Sequence, residues 1–357
     1  MGSIIGDKLK VSVFGESHGP AIGIVIDGLP AGCEIDMERI QRELSRRAPG
    51  KSKISTARKE SDIPKILSGI FNGRTTGAPL SAVIENTNTK SGDYSEIMIK
   101  PRPGHSDYPA MVKYDGFNDY RGGGHFSGRL TALLVFAGAI CKGILEEKGI
   151  YIGAHIKSIG TVKDREFSYT SVSQELLKEL AKESIPVVDT TKAEAMEEEI
   201  LKAREKQDSV GGVIEGIIIN MPPGIGNPMF DSVESKLSHM LFSIPAVKGV
   251  EFGDGFNISS MTGSEARDEY YIEDNKVKAY TNHNGGILGG ITTGMPVVFS
   301  VSVKPTASIG IEQRTINTRE WKDDTIAVKG RHDPCIVPRA VPVVEAVAAI
   351  TIMDLMI

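Results

Sequence analysis

Two pairs of similar segments recur in the same order along the chain. Residues 16–32 and 208–224 each join a polar turn to an apolar run and then to a turn of Gly and Pro, while residues 69–79 and 286–296 share the pattern Gly-Ile-x-x-Gly-x-Thr-Thr-Gly-x-Pro. β-Branched runs bounded by Gly and Pro are typical of strands in sheets. The repetition predicts an internal duplication, with related halves at about 10–100 and 206–305 in a single domain that covers 1–357. Chance recurrence of Gly-Pro turns is the alternative explanation.

Two helical patterns of different character lie between the repeated segments. Apolar residues between Ser127 and Glu147 cover most of the helix circumference, which predicts a helix buried on nearly all sides. The pattern over 191–206 is charged, is typical of a surface helix, and spaces Glu198 and Lys202 for an ion pair. A buried helix flanked by strand-rich units predicts an α+β fold, most simply a sheet on a helix layer on a sheet.

The composition excludes several classes of protein. The net charge of −5 over 357 residues argues against bulk attraction to nucleic acid or an anionic membrane. The three cysteines are far apart and form no CxxC pair, which is typical of a reducing compartment and predicts no metal site or disulfide framework. The N-terminus has no signal-peptide pattern, and the apolar C-terminal stretch contains Pro342, Glu345 and Asp354, which favours a buried helix over a membrane anchor. We therefore expect a cytoplasmic protein.

A run of three glycines, Gly122 to Gly124, opens into the apolar helix and is flanked by Arg121, His125 and Arg129. Glycines allow a backbone to approach a ligand closely, and the free N–H groups of a helix N-terminus bind anions. With Ser127 as a natural cap, the run predicts an anion site. A tight turn before a core helix is the alternative.

Cations dominate the stretch from Arg42 to Lys59. Glu43 is its one acid, inside a protein that is acidic overall. Pro49 and Gly50 interrupt the preceding helix, so the cations sit on a bend and are able to converge on one small polyanion. A solvated basic loop is the alternative. The cations are Arg42, Arg46, Arg47, Lys51, Lys53, Arg58 and Lys59.

Four of the seven histidines, at positions 18, 105, 125 and 332, lie in glycine-flanked loops, whereas His155 and His239 lie in more regular segments and are expected to be structural. Histidine exchanges protons near neutral pH, so the loop histidines are candidate acids or bases.

The stretch 15–19 also fits the GxSxG pattern of serine hydrolases. That pattern requires a helix immediately afterwards, and the apolar run 22–26 indicates a strand or loop instead.

Several motifs, taken in order, resemble those of the chorismate synthase family over nearly the whole chain. The resemblance implies a β-α-β sandwich with helices between two antiparallel sheets, assembled as a homotetramer. It also implies the family's reaction, the last common step of aromatic amino acid biosynthesis in the shikimate pathway. In it, 5-enolpyruvylshikimate 3-phosphate loses phosphate by 1,4-anti elimination to give chorismate, and reduced FMN is required although no net redox change occurs. The motifs lie at 14–19, 46–50, 102–105, 119–124, 282–290, 304–306 and 330–335.

The resemblance also implies roles for individual residues. His18 would protonate the departing phosphate and His105 would protonate or hold the reduced flavin near N1. Asp333, with Ser17 and Ser127 as relays, would help flavin N5 to remove the ring proton. The FMN ligands implied are Ser127, Pro245, Ala246, Gly289, Lys304, Pro305, Thr306, Ala307, Ser308 and Arg331, with His125 and Phe126 alongside. The substrate ligands implied are Arg42, Arg46, Arg47, Lys53, Arg129 and Arg339.

The chain departs from the family pattern beside the expected flavin. His125 stands where many members have arginine and Phe126 where they have serine, so backbone N–H groups are the contacts expected to persist there.

The motifs leave open whether the chain reduces its own flavin with NADPH or relies on an external reductase. Two rivals remain, a non-catalytic protein that binds FMN or phosphate and a nucleic-acid binder, although the net charge and the lack of aromatics near the basic run disfavour the second.

Overall fold

The strand-rich runs around the repeated segments form antiparallel sheets. The computed structural model describes residues 2–50, 54, 60, 62–87, 96–328 and 333–357. The strands are β1 (Ile4–Ile5), β2 (Lys10–Gly15), β3 (Ala21–Asp27), β4 (Lys65–Ser68), β5 (Ile70–Phe71), β6 (Arg74–Thr75), β7 (Leu80–Glu85), β8 (Tyr151–Ile159), β9 (Val162–Lys163), β10 (Gly212–Ile219), β11 (Val247–Phe252), β12 (Tyr270–Glu273), β13 (Lys276–Ala279), β14 (Ile287–Leu288), β15 (Ile291–Thr292), β16 (Val297–Val303), β17 (Gln313–Asn317) and β18 (Lys322–Ile326). The α-helices are α1 (Met37–Arg47), α2 (Asp107–Lys113), α3 (Thr131–Glu147), α4 (Gln174–Leu180), α5 (Lys192–Glu205), α6 (Val233–Phe242) and α7 (Val337–Met356).

Two five-stranded sheets enclose a layer of helices. The first has the order β1-β2-β3-β7-β4 and the second the order β11-β16-β10-β8-β9, with antiparallel pairing throughout. Helix α3 contacts β3 of the first sheet and β8 of the second, and α7 packs on α3, β8 and β10. Apolar side chains from both sheets and these helices form one continuous core. The expected sandwich of helices between two antiparallel sheets is confirmed.

The two predicted helices differ in burial as expected. Helix α3 is buried along most of its length, and α5 exposes a charged face on which Glu198 and Lys202 form an ion pair of 3.6 Å. The segment Gly128–Glu147 is the one described helix long and apolar enough to cross a membrane, and 83% of its most apolar window is buried inside the protein. Such burial is typical of a core helix. Helix α7 is likewise buried along most of its length.

The two sheets share a connection order. In the first, β2, β3, β7 and β4 lie side by side, and in the second β8, β10, β16 and β11 do so in the same chain sequence. In each half a helix precedes the edge strand, which is β4 in the first half and β11 in the second, and a short hairpin follows it. The pairing of each edge strand with its neighbour contains a register shift. We propose that the halves are copies of one unit and that the second begins at Tyr151, before position 206.

The matching strand ends of the two halves lie beside the candidate site. In the first half, the turn between β2 and β3 contacts the residue that follows β7, through the Asn86 N–H and the Pro20 carbonyl (3.0 Å). In the second half, the loop before β10 contacts the segment that follows β16, where the Ser209 hydroxyl donates to the Thr306 carbonyl (2.8 Å). Each half therefore contributes one loop, held by a hydrogen bond, to the region of the candidate site.

Candidate active site

The glycine run forms a turn that packs against two histidines. Gly122, Gly123 and Gly124 have φ values of 60°, 84° and 54°, in the left-handed region that favours glycine. A Cβ at Gly122 would lie 2.5 Å from Cδ2 of His18, and one at Gly123 would lie 3.2 Å from Cε1 of His105. The run therefore does not lead straight into a helix. It is a compact turn that brings both predicted acids to neighbouring residues.

The Ser17–His18 segment is fixed from two sides. Both side chains are buried. The Ser17 N–H donates to the Gly124 carbonyl (3.1 Å), and the Gly19 N–H closes a tight turn on the Glu16 carbonyl (3.1 Å). Burial beside backbone leaves the imidazole little freedom to reorient, which suits a group that exchanges a proton with a bound ligand.

His105 is oriented by a carboxylate. Its Nδ1 lies 2.5 Å from Oδ1 of Asp107, and Arg102 binds the same carboxylate through Nε (2.7 Å) and Nη2 (2.8 Å). Burial raises the pKa of Asp107, but the hydrogen bonds from Arg102 and His105 outweigh it and hold the pKa well below the usual range. Arg102 Nη2 lies 3.0 Å from Nδ1 and 3.2 Å from Nε2 of the same ring. The ionised carboxylate favours a hydrogen on Nδ1, which leaves Nε2 to accept from Arg102. Nε2 is then the nitrogen that faces Gly123.

The segment 304–308 lies beside the His105 loop. The Lys304 ammonium donates to the Gly104 carbonyl, and the Arg102 Nη1 donates to the Ser308 hydroxyl (2.9 Å). The Lys304 N–H donates to the Ala246 carbonyl (2.9 Å), and the Thr306 hydroxyl donates to the Asp333 carbonyl (3.0 Å). Five predicted residues, Ala246, Lys304, Thr306, Ser308 and Asp333, are thus joined to one catalytic candidate.

Two predicted substrate ligands, Arg47 and Arg129, converge on one buried carboxylate. The Arg47 Nη2 lies 2.8 Å from Oδ2 of Asp62, and the Arg129 Nη1 bonds its Oδ1. Glu60 lies 3.3 and 3.1 Å from the same two guanidinium groups. Burial raises the pKa of Asp62, but the charges of Arg47 and Arg129 outweigh it, so the pKa is lowered. Arg339 extends the cluster.

Together with short stretches of backbone, these contacts close into a ring. Arg339 donates to the Arg47 carbonyl (2.8 Å) and pairs with Asp333, which connects the arginines to the 304–308 segment. At the other end, the Arg129 Nε donates to Asn86 (3.1 Å), whose amide holds the His18 turn. The ring runs through His18, Asn86, Arg129, Asp62, Arg47, Arg339, Asp333, Thr306, Ser308, Arg102, His105, Gly123 and Gly122.

Two predicted substrate arginines lie outside the ring. The Arg42 side chain is 63% exposed and, among the described residues, its ion-pair partners are Asp36 (3.7 Å) and Glu38 (3.8 Å) at the N-terminal end of its own helix. Arg46 is directed into the helix layer, where it bonds the buried Glu345 (2.6 and 2.9 Å) and Glu43 (2.7 Å). Successive helical residues point about 100° apart, so Arg47 reaches the site and Arg46 does not. In the described structure neither Arg42 nor Arg46 joins the other predicted substrate arginines.

His125 and Phe126, the positions that differ from the family pattern, make contacts with other parts of the protein. His125 Nδ1 lies 2.9 Å from the Gly15 carbonyl and Nε2 lies 3.0 Å from the Ser3 hydroxyl, so both nitrogens hold the N-terminal strands. The Phe126 ring lies 6.2 Å from that of Tyr114. In the described structure the His125 side chain therefore has partners within the protein at both nitrogens. Ser127 caps the short turn before α3 by accepting the Arg129 N–H (3.3 Å).

Gly289, by contrast with these positions, makes no contact with the ring among the residues that the structure describes. Gly289 lies in the turn between β14 and β15, next to Gly290, whose backbone packs on Ser232. Lys53 and Arg331 lie outside the described residues, as does His332. Among the residues that the structure describes, no group of three or more His, Cys, Asp or Glu side chains is placed to hold a metal ion.

Three residues of the ring, Asp62, Asn86 and Arg102, and Asp107 beside it were assigned no role from the sequence. Asp107 follows His105 by two positions in a Gly-Pro loop, and a carboxylate so near a candidate catalytic histidine was an available signal. Asp62 and Asn86 carry no local signal, because their partners lie 15 and more residues away.

Comparisons with known proteins identify the family of the chain. The family model described as chorismate synthase matches residues 9–357. The chain is 49% identical to the chorismate synthase of Thermococcus kodakarensis over 349 residues, covering 98% of this chain and 96% of the relative, and 50% identical to that of Pyrococcus abyssi with the same coverage. A chorismate synthase crystal structure superposes with a TM-score of 0.76 at 29% identity, covering 98% of this chain and 92% of the other. The chain therefore belongs to the chorismate synthase family and is a lyase of the shikimate pathway that acts on a small-molecule substrate.

Proposed function

We propose that the ring binds 5-enolpyruvylshikimate 3-phosphate and reduced FMN, and that its histidines assist the 1,4-anti elimination of phosphate that yields chorismate. One observation carries the proposal: His18 and His105 lie against neighbouring glycines of one turn, in a ring that also contains four arginines. A substrate with two carboxylates and a phosphate requires such a set of cations.

The arginines are suited to the substrate's anionic groups. Arg47 and Arg129 are almost completely buried, and a charge pair inside a protein interacts more strongly than one in water. Their planar guanidinium groups match the oxygens of carboxylates and phosphates. Asp62 neutralises part of their charge in the described structure. We propose that Arg47, Arg129 and Arg339 bind and orient the substrate.

The two histidines have separate tasks in this proposal. Proton transfer to the departing phosphate oxygen lowers the barrier for breaking the carbon–oxygen bond, and His18 would supply that proton. Asp107 holds Nδ1 of His105, so Nε2 is the nitrogen that would hold the flavin near N1, and in the imidazolium form it would carry the proton given to the flavin. Asp333, with Ser17 and Ser127 as relays, would assist removal of the ring proton.

The segment 304–308 fits a phosphorylated flavin by the chemistry of its donors. Thr306 and Ser308 supply hydroxyl groups and Arg102 supplies a cation within the ring that contains His105, and Lys304 supplies a second cation directly beside it. Reduced FMN, when bound, supplies electron density to the breaking bond. Pro305, Ala307, Pro245, Ala246 and Gly289 remain proposed flavin contacts, as do Arg331 and the backbone at His125 and Phe126. Lys53 remains a proposed substrate contact.

We also propose a cytoplasmic homotetramer. Large apolar side chains that are 79–85% exposed support association, because exposed apolar surface commonly marks protein interfaces. They are Phe230, Phe256 and Ile272. Light scattering of the eluting protein would give four times the monomer mass of 38.4 kDa, and a monomer would contradict the proposal.

The test of the reaction is release of phosphate and chorismate from 5-enolpyruvylshikimate 3-phosphate under anaerobic conditions. FMN is supplied chemically reduced, oxidised or not at all. Product only with reduced FMN supports the proposal. A folded protein that binds FMN and forms no product would be a non-catalytic flavin-binding protein instead. Product from oxidised FMN plus NADPH would add flavin reduction to the chain's own activities.

A further inference from the structure

We propose that Asn86 is a positioning residue that couples the substrate-binding arginine Arg129 to the turn that carries His18. The inference rests on the proposed function. Asn86 directly follows β7, and the pairing of Glu85 with Ala21 places it beside the β2–β3 turn. Its backbone N–H donates to the Pro20 carbonyl (3.0 Å), so the main chain is already fixed at the turn.

The Asn86 side chain bonds both parts of the site. Nδ2 lies 3.0 Å from the Glu16 carbonyl and 2.9 Å from the Gly19 carbonyl, the two residues that flank Ser17 and His18. Oδ1 accepts the Arg129 Nε–H at 3.1 Å. An amide has two N–H hydrogens and one oxygen, so both hydrogens and the oxygen are used.

The hydrogen bond from Arg129 fixes which end of the Asn86 amide faces the turn. A reversed amide would direct its NH₂ group at the Arg129 Nε–H, and two donors cannot bond each other. Arg129 is also held by Asp62 and Glu60. A guanidinium fixed in this way presents the Asn86 donors to the Glu16 and Gly19 carbonyls.

The Asn86 amide therefore fixes the position of the His18 turn relative to the guanidinium group of Arg129. An anion bound to Arg129 is connected to the backbone turn that carries His18 through one amide with a fixed orientation. A small displacement of a catalytic group lowers the rate strongly, so loss of this link would reduce turnover more than it reduces binding. Asn86 itself need not touch the substrate.

Asn86→Asp tests the link with an isosteric change. The carboxylate still accepts from Arg129 but has no hydrogens for the Glu16 and Gly19 carbonyls. We expect kcat to fall about 10-fold or more, with KM changed less and FMN affinity retained. Asn220→Asp is the matched control, because Asn220 also follows a strand and donates to a single carbonyl, that of Gly149 (3.0 Å). Its kcat should stay within about twofold.

A double-mutant cycle with His18→Ala separates positioning from folding. If Asn86 acts through His18, the second substitution costs little once His18 is gone, whereas independent effects multiply. Asn86→Ala, which adds no charge, replaces the Asp variant in the cycle if that protein does not fold. Normal kcat in a folded Asn86 variant, or multiplying effects in the cycle, overturns the inference alone. No turnover by the wild-type protein overturns the proposed function and the inference with it.

Discussion

Gly122 and His18 are closer than any side chain at position 122 would allow. A Cβ there would lie 2.5 Å from the His18 Cδ2, a distance that would force the imidazole or the turn to move. We expect Gly122→Ala to lower turnover about 100-fold, because small displacements of catalytic groups are costly. Gly73→Ala is the matched control. Gly73 has a similar φ of 74° but open space around its Cβ position, so it isolates backbone strain. Equal losses in the two variants would contradict the close packing as the cause.

The carboxylate of Asp107 holds the His105 ring in one tautomer. Asp107→Asn keeps the shape of the side chain, removes its charge and allows the ring to turn or change tautomer. We expect kcat to fall about 100-fold while substrate affinity changes little. Steady-state kinetics with reduced FMN measure this. Asp189→Asn, at an exposed turn, should leave kcat unchanged. A fully active Asp107→Asn enzyme would show that the orientation of His105 is not needed.

Arg46 is expected to stabilise the fold instead of binding substrate. Burial raises the pKa of Glu345, but Arg46 and Lys142 outweigh it and lower the pKa to about 2. Removal of one partner from a buried ion pair leaves an uncompensated charge, so Arg46→Met should lower the free energy of unfolding by about 3–5 kcal/mol.

Urea unfolding measures the Arg46 effect directly. Arg42→Met is the control on the same helix, since exposed pairs such as those of Arg42 contribute roughly 0–1 kcal/mol. An Arg46→Met protein of normal stability with a strongly raised KM would instead return Arg46 to the substrate site.

His155 should make stability depend on pH. It is buried between Asp164 and Glu215, each 3.0 Å away, and Lys157 and Tyr169 also contact Glu215. Burial lowers the pKa of His155, but the bonds to the two carboxylates outweigh it and raise the pKa above 6.5. The stabilisation is then fully present below pH 6.5 and is lost as the pH rises through the folded-state pKa.

Unfolding measured at intervals from neutral to alkaline pH tests this dependence. The free energy of unfolding should decline by up to about 1.4 kcal/mol per pH unit in the window above pH 6.5. His155→Gln lacks the titrating group, so its decline over the same window should be shallower. Parallel curves for the two proteins would mean that His155 does not carry the effect.

Local pattern was enough to predict the layers and the central candidates. The apolar circumference of α3 predicted its burial, and glycine-flanked loops identified His18 and His105, which the structure brings to one turn. The ion-pair partners of neighbouring charged residues could not be predicted from local sequence pattern. Arg46 and Arg47 are adjacent, and their partners Glu345 and Asp62 lie 299 and 15 residues away. His125 illustrates the same difficulty, since Ser3 lies 122 residues before it. Such pairings depend on tertiary packing.

The most direct test of the two-histidine site is anaerobic turnover with reduced FMN by the wild-type protein and by His18→Ala and His105→Ala. His239→Ala, which changes an exposed histidine on α6, is the control. Each site variant should retain FMN binding and its fold, and should form chorismate about 100-fold or more slowly than wild type, while the control stays within about twofold. Near-normal turnover in either folded site variant would contradict the role assigned to that histidine.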